Sequence, residues 1–384
     1  MKSKIGVLTF PFSNNYGATL LTYAIQRALC DLGKDAIIVG YDLEYEDYSI
    51  PDKMKKVVSK LQKHRFSPDY VIHILYGKLL KALSDKHTLQ FNEFRKRYIV
   101  MTNRLNTVGD IENELKDYDV ALIGGDQVWN VMCMRVVAVP FLGFKLSPHL
   151  RKVSYAPCFG NVRKISYVPC LAELNTSPES KILIGDYLRK FDSIGVRNKT
   201  SQEIVKRLSG RDATLVVDPT LLISFDEIIA KTDLGTKMIV FYCLYISQSC
   251  MYAISRILKK QLHRKVLSIS LHQQFLFADK WAWGVGPSEW LAIFKNAEYI
   301  VTDSLHGTIF AIKNRKQFIT IAQDPTDIRK VDLLQHYGLE ERIVSSPDEV
   351  SGELMRRPID YDRVHEEIAR DVRDSYEYLK TALA

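Results

Sequence analysis

The chain has 384 residues with 46% hydrophobic and 26% charged positions. That profile excludes a disordered chain and predicts two packed domains rather than one. Net charge is +8, from 53 basic and 45 acidic residues, and no run of about 18 apolar residues is present to span a bilayer.

The apolar run Ile5–Phe10 predicts a buried strand, and Asn14-Asn15-Tyr16-Gly17 a polar turn after it. Leu21, Ala24, Ile25, Ala28 and Leu29 have helical spacing, and Ala36–Val39 reads as a second strand. This is a βαβ opening. The opening residues lack the layout of a leader peptide, so a cytoplasmic location is expected.

A basic segment follows. Residues 52–97 hold twelve basic and four acidic residues, which leaves 41 of each in the remainder. The whole excess therefore sits in one attachment. Residues 54–66 and 71–83 each show helical apolar spacing with lysines between, which predicts a basic helical insertion over about 53–97. Such a segment suits an anionic membrane surface. No RNP, KH or helix-turn-helix signature accompanies it, so nucleic acid is not an expected partner.

The α/β pattern resumes at Tyr118–Gly125, with further short strands at Lys152–Ala156, Ser193–Arg197 and Leu215–Pro219. A second set begins near Met238. Strands are expected at 238–242, 265–269, 298–303 and 317–321, with helices at 251–262, from Ser288 as N-cap, after Gly307, and at 361–379. The architecture read from this order is α/β: two Rossmann-like lobes, 1–214 and 215–350, facing across a cleft. A C-terminal amphipathic helix over 355–384 packs back on the first lobe.

Ligands of such folds gather at the C-terminal ends of the strands, and the candidate residues lie there. Thr302–Thr308 follows a buried strand and opens a helix. It places His306 beside free helix N–H groups, with Ser304, Gly307 and Thr308 around it. Gly125, Asp126, Gln127 and Asn130 follow the strand at 118–125, and Asn15, Tyr16 and Gly17 follow the first strand. Arg197 ends an apolar strand, where a charge requires a partner: an anion or a structural carboxylate. Arg329 and Lys330 follow the last strand of the second lobe. Trp281, Trp283 and Trp290 are read as a sugar-stacking wall or as core. The six cysteines form no CxxC, His149 and His272 lack ligand-spaced partners, and no HExxH, DxD or GxSxG occurs. No metal site is expected.

Taken in order, NNYGATL, YDVALIGGDQVWN, KVSYAPCFG, SIGVRN, VVDPTLL and AEYIVTDSLHGTIFAI resemble the polysaccharide pyruvyl transferase family. The resemblance implies a GT-B-like fold. It also implies transfer of the pyruvyl group of phosphoenolpyruvate to two hydroxyls of a sugar, with release of phosphate and no metal or redox cofactor. The acceptor it implies is a cell-surface polysaccharide or its polyprenyl-linked precursor. His306 matches the family's catalytic histidine, Arg197 its strand-end arginine, and Lys330 most nearly a basic residue after the last strand. The chain departs from the pattern at Gly125 and Asn198, where many relatives have Ser and an acidic residue, and at Leu305, where some have Arg. A GT-B sugar-nucleotide glycosyltransferase or epimerase is the alternative, because fold does not fix chemistry.

Overall fold

A computed structural model describes residues 3–43, 68–130, 138–160, 163–164, 172–173, 176–269, 278–322 and 328–384. The first lobe is built on six parallel strands. They are β1 (Lys4–Leu8), β2 (Asp35–Ile38), β3 (Val120–Gly124), β4 (Arg151–Tyr155), β5 (Ser193–Val196) and β6 (Thr214–Leu215), in the order β2-β1-β3-β4-β5-β6. The second lobe repeats the plan with β7 (Ile239–Tyr242), β8 (Val266–Ile269), β9 (Lys280–Trp281), β10 (Tyr299–Thr302), β11 (Gln317–Ile321) and β12 (Ile343–Val344). Their order is β9-β8-β7-β10-β11-β12. Strands such as Val120–Gly124 and Ile239–Tyr242 are buried along their whole length. Helices cover both faces of each sheet, which is why these strands read as continuous apolar runs rather than alternating ones.

In each lobe the strand order turns back beside the first strand, between β1 and β3 and between β7 and β10. A crevice opens at such a reversal, at the C-terminal ends of the strands. The turns at those ends, with the helix starts they lead into, are 13–17 and 125–130 in the first lobe. In the second they are 243–247 and 303–307.

Of the basic segment, the stretch expected as a helix at 71–83 lies within a longer helix, Pro68–Tyr98, and residues 53–67 lie outside the described residues. After it, Met101 and Leu105 bridge in parallel to Ile38 and Tyr41 at the edge of β2. The helix is thus the crossover of a βαβ unit. Its last turns bury Phe91 and Phe94 and sink two polar side chains, His87 and Arg95. Arg95 donates to Ser13 O at 2.8 Å and to Asn14 Oδ1 at 2.9 Å, and His87 Nε2 lies 3.0 Å from Asn14 O. Burial lowers the Arg95 guanidinium to about 10. A cation counted as surface charge in the sequence is here an internal brace of the loop after β1.

The lobes share a core. Tyr16 stacks on Trp290 with centroids 5.5 Å apart and touches Phe91 and Tyr242, while its hydroxyl donates to Val285 O at 2.8 Å. Trp290 is completely buried, so it belongs to no sugar-stacking wall. Its helix, Pro287–Asn296, is capped by Gly286, whose N–H donates to Glu289 Oε2, rather than by Ser288. Pro287 explains the shift: its fixed φ and missing N–H suit the first helical position.

The terminal helix Tyr361–Ala382 starts on the second lobe, where Arg363 donates to Tyr337 O. It ends on the first, where Tyr378 donates to Ser154 O and Lys34 to Leu383 O. Among the described residues no helix is long and apolar enough to cross a membrane.

Candidate active site

The turn from β10 into the helix Leu305–Lys313 is locked by its own polar residues. Ser304 caps the helix, its Oγ accepting from Gly307 N at 3.3 Å and its carbonyl from Thr308 N at 2.9 Å. Thr308 Oγ1 lies 2.9 Å from Thr320 Oγ1. Asp303 accepts three backbone N–H groups, from Leu244, Tyr245 and Ile246, at 2.7, 2.7 and 3.1 Å. Its carboxylate therefore fills the concave backbone nest after β7, where an anionic ligand could otherwise sit.

This turn delivers His306 to the lobe junction. The residue is buried, 6% exposed, and lies in the first turn of its helix. One side of its ring rests on Gly17 of the other lobe. A β-carbon on Gly17 would stand 2.1 Å from Nδ1, so no side chain fits there. On the other side, Nε2 is 3.6 Å from Asp218 Oδ2, close enough for charge attraction and too far for a hydrogen bond. Nε2 makes no hydrogen bond among the described residues.

Asp218 is the residue that connects the site, and the sequence reading missed it. It precedes Pro219, at the end of the stretch expected as a strand. In the structure, Asp218 is the N-cap of the short helix Pro219–Leu222. Its Oδ1 accepts from Thr220 N at 3.0 Å and from Thr220 Oγ1 at 2.6 Å. Its Oδ2 accepts from Arg197 Nη1 at 2.8 Å. An Asp before a Pro that opens a helix is a capping signal. That pattern was the available clue.

Arg197 completes the cluster. Its Nη2 reaches Asp126 Oδ1 at 3.3 Å and Cys158 Sγ at 3.0 Å. The side chain is 7% exposed, and its fork is filled by protein groups rather than offered to solvent. Asn198 caps the next helix through Ser201 N, so Asp218 and Asp126 anchor the arginine in place of an adjacent acid. Asp126 has a positive φ of 52° directly after Gly125 at 72°. Gly125 takes that left-handed conformation without strain, and a β-carbon on it would also stand 2.2 Å from Leu21 Cδ2.

Electrostatics bind these groups together. Burial pushes the Asp218 carboxyl up, but His306, Arg197 and the Thr220 donors outweigh it, and the net shift is downward. The same holds for Asp126, where burial is outweighed by Arg197, His306 and Arg329. Burial opposes the charge on Arg197, yet Cys158, Asp218 and Asp126 raise its pKa overall. Two guanidinium groups thus face two carboxylates. Among the described residues these four charges balance, with the His306 imidazole beside them.

The other sequence candidates divide by position. Arg329 acts on Asp126 across the junction. Lys330 is buried, and its ammonium donates to Asp303 O and Ile321 O, both at 2.8 Å. It ties the ends of β10 and β11 together. Tyr16 is an interlobe bracket, and Asn15 caps its helix through Ala18 N. Gln127 Oε1 accepts from Asn130 Nδ2 at 2.9 Å, bracing the loop after β3. Gly307 does not open the backbone to a ligand, because Thr302 Oγ1 would stand 2.2 Å from a β-carbon on it. Leu305 is core. No group of three or more potential metal ligands occurs among the described residues.

No curated protein matches the chain by sequence. Among solved structures, S. aureus MnaA in a co-structure with UDP is 11% identical with a TM-score of 0.53, covering 99% of this chain and 95% of that one. UDP-GlcNAc 2-epimerase from Neisseria meningitidis, bound to UDP-GlcNAc, is 10% identical with a TM-score of 0.50, covering 100% and 99%. At that identity the likeness shows the fold, which is GT-B. The family model for polysaccharide pyruvyl transferase matches residues 15–325, a stretch that contains Gly17, Asp126, Arg197, Asp218 and His306. The chain belongs to the polysaccharide pyruvyl transferase family.

Proposed function

We propose that the protein transfers the pyruvyl group of phosphoenolpyruvate to two hydroxyls of one sugar, forming a cyclic ketal and releasing phosphate. The observation that supports this reading is the buried His306 imidazole at the lobe junction, between Gly17 and the Asp218 carboxylate. An imidazolium there adds a positive charge, which favours a small, highly charged anion. It donates a proton to the methylene carbon of phosphoenolpyruvate, which makes C2 electrophilic. The first sugar hydroxyl adds to C2 and its proton returns to the imidazole. Phosphate leaves, and the second hydroxyl closes the ring as its proton passes to the phosphate. Arg329 and the N-terminus of the His306 helix receive the departing anion. Arg197 acts through Asp218 and Asp126, holding both carboxylates in place. Every step uses protein groups and the two substrates.

His306 and Arg197 are closed off from solvent in this arrangement, so the lobes part to admit substrate. The Asp303 carboxylate takes up the three backbone N–H groups after β7, leaving them unavailable to the diphosphate of a sugar nucleotide. The acceptor in this proposal is a sugar of a cell-surface polysaccharide or of its polyprenyl-linked precursor, met at an anionic membrane surface through the basic stretch within 53–97.

The test is incubation with phosphoenolpyruvate and a panel of aryl and lipid-linked galactosides, glucosides and mannosides, read by mass spectrometry and phosphate release. A pyruvate ketal on one of them, absent with His306→Gln, is the expected result. Sugar transfer or epimerisation from a nucleotide sugar, with phosphoenolpyruvate untouched, overturns it.

A further inference from the structure

The helix Leu305–Lys313 carries His306 in its first turn and Lys313 as its last residue. The helix Pro219–Leu222 has Asp218 as its N-cap. The two segments are joined at both ends. At one end His306 Nε2 meets Asp218 Oδ2 at 3.6 Å. At the other, Lys313 Nζ donates to Thr220 O at 2.9 Å and to Ile223 O at 2.5 Å, with the Phe225 ring centroid 5.4 Å away. An ammonium at this place also meets the partial negative charge at the C-terminal end of its own helix. The mechanism above gives Lys313 no task.

We propose that Lys313 is a positioning residue for the transferase reaction: it pins the His306 helix to the segment that carries Asp218 and so holds the imidazole in register with that carboxylate. This rests on the reading of His306 as the proton donor. The segment 216–238 joins the lobes, and the helix belongs to the second lobe. Sliding of one on the other is the motion that this pin resists. A misplacement of about 1 Å at a reacting group costs on the order of 100-fold in rate, so a double attachment has a kinetic consequence beyond stability.

The site opposes the charge it holds. Burial lowers the Lys313 ammonium to about 8, against the pull of Asp226 and Asp218. Asp226 is itself paired with Lys295 Nζ at 2.6 Å. The flank of Lys313 opens on a cavity of about 520 Å³, where Asp226 and His365 are the other titratable groups. His365 Nε2 lies 3.0 Å from Ile312 O. Proton exchange with solvent is therefore available to the amine. As pH passes about 8, the two bonds to carbonyls lose their charge assistance, which is roughly half their strength.

The experiment compares Lys313→Met and Lys313→Arg with the wild type, measuring phosphate release from phosphoenolpyruvate in the presence of the acceptor between pH 6.5 and 9.5. Circular dichroism and urea unfolding confirm that each variant is folded. Lys313→Met is expected to lower kcat about tenfold while KM for phosphoenolpyruvate stays within about twofold. The wild type is expected to lose rate as pH passes about 8, and Lys313→Met is expected to lack that component of the fall. Lys313→Arg is expected to restore most of the rate and to move the fall to higher pH, because a guanidinium keeps its charge. A folded Lys313→Met with wild-type kcat and pH profile overturns the proposal, and so does equal damage from Met and Arg. The His306 imidazole resonances give a readout independent of turnover. They should shift in Lys313→Met toward their positions in Asp218→Asn, and unchanged resonances overturn the proposal. Full activity in His306→Gln instead removes the proton-donor reading, while the resonances still decide whether Lys313 positions the ring.

Discussion

Gly17 and His306 touch across the two lobes with no space for a side chain between them. A β-carbon on Gly17 would stand 2.1 Å from Nδ1 and 2.4 Å from Cγ of the imidazole. The first turn of the helix after β1 thus forms the rear wall of the His306 ring. Gly17→Ala should push the ring out of line with Asp218 and lower turnover by about 100-fold, the cost of a misplacement near 1 Å. Phosphate release measured beside a thermal melt separates this from unfolding. Wild-type turnover in Gly17→Ala would remove the wall from the mechanism.

His306→Gln should fold and bind phosphoenolpyruvate while turning over ~100-fold or more slower, the usual contribution of a general acid. Asp218→Asn should lose a comparable factor, because it releases His306 and one arm of Arg197 together. The double variant should be little worse than either single one, since residues that act as a unit are not additive. Multiplied effects in the double variant would show that the two act separately.

Acid stability follows from the two buried carboxylates. Asp126 and Asp218 both have folded-state pKa values below their unfolded values. The unfolded state therefore binds protons first as pH falls, and folded stability falls with it. The contribution is complete above the unfolded value of about 3.9 and is lost as pH drops through the lower folded values. Urea midpoints measured from pH 6 to pH 3 should fall more steeply in the wild type than in Asp218→Asn. Parallel curves would show that Asp218 is not held in its charged form.

Tyr16→Phe tests the interlobe bracket. It removes the hydroxyl that donates to Val285 O and keeps the ring on Trp290. The expected loss is about 1 kcal/mol, with the Val285 carbonyl left without that donor. Chemical denaturation followed by Trp fluorescence reports it. No change in midpoint would mean that ring packing alone joins the lobes here.

The membrane proposal is checked by sedimentation with vesicles. Each cation near an anionic surface contributes about 1 kcal/mol, and the screening length shortens to a few ångström in high salt. Binding to anionic vesicles should drop sharply in salt and when Lys55, Lys56, Lys60 and Lys63 become glutamine. Failure to sediment even at low salt, with full activity on a lipid-linked acceptor, would end the proposal.

The sequence by itself determined the central strands and the turns at their C-terminal ends, but not the short edge strands Lys280–Trp281 and Ile343–Val344. Runs such as Val120–Gly124 and Tyr299–Thr302 are buried on both faces, and solvent exclusion writes that directly into composition. It also placed Gly17, Asp126, Arg197 and His306 on those turns. Only the tertiary structure decided what each of them faces. Asp218 and His306 are 88 positions apart and meet because two separate sheets present their C-terminal edges to each other. Arg95, Lys313 and Lys330 look in sequence like surface charge, yet each spends its donors on carbonyls inside the fold. Periodicity reports that a face is buried but not against what. A charged residue type states that a partner is needed, and only the packing of distant elements supplies one.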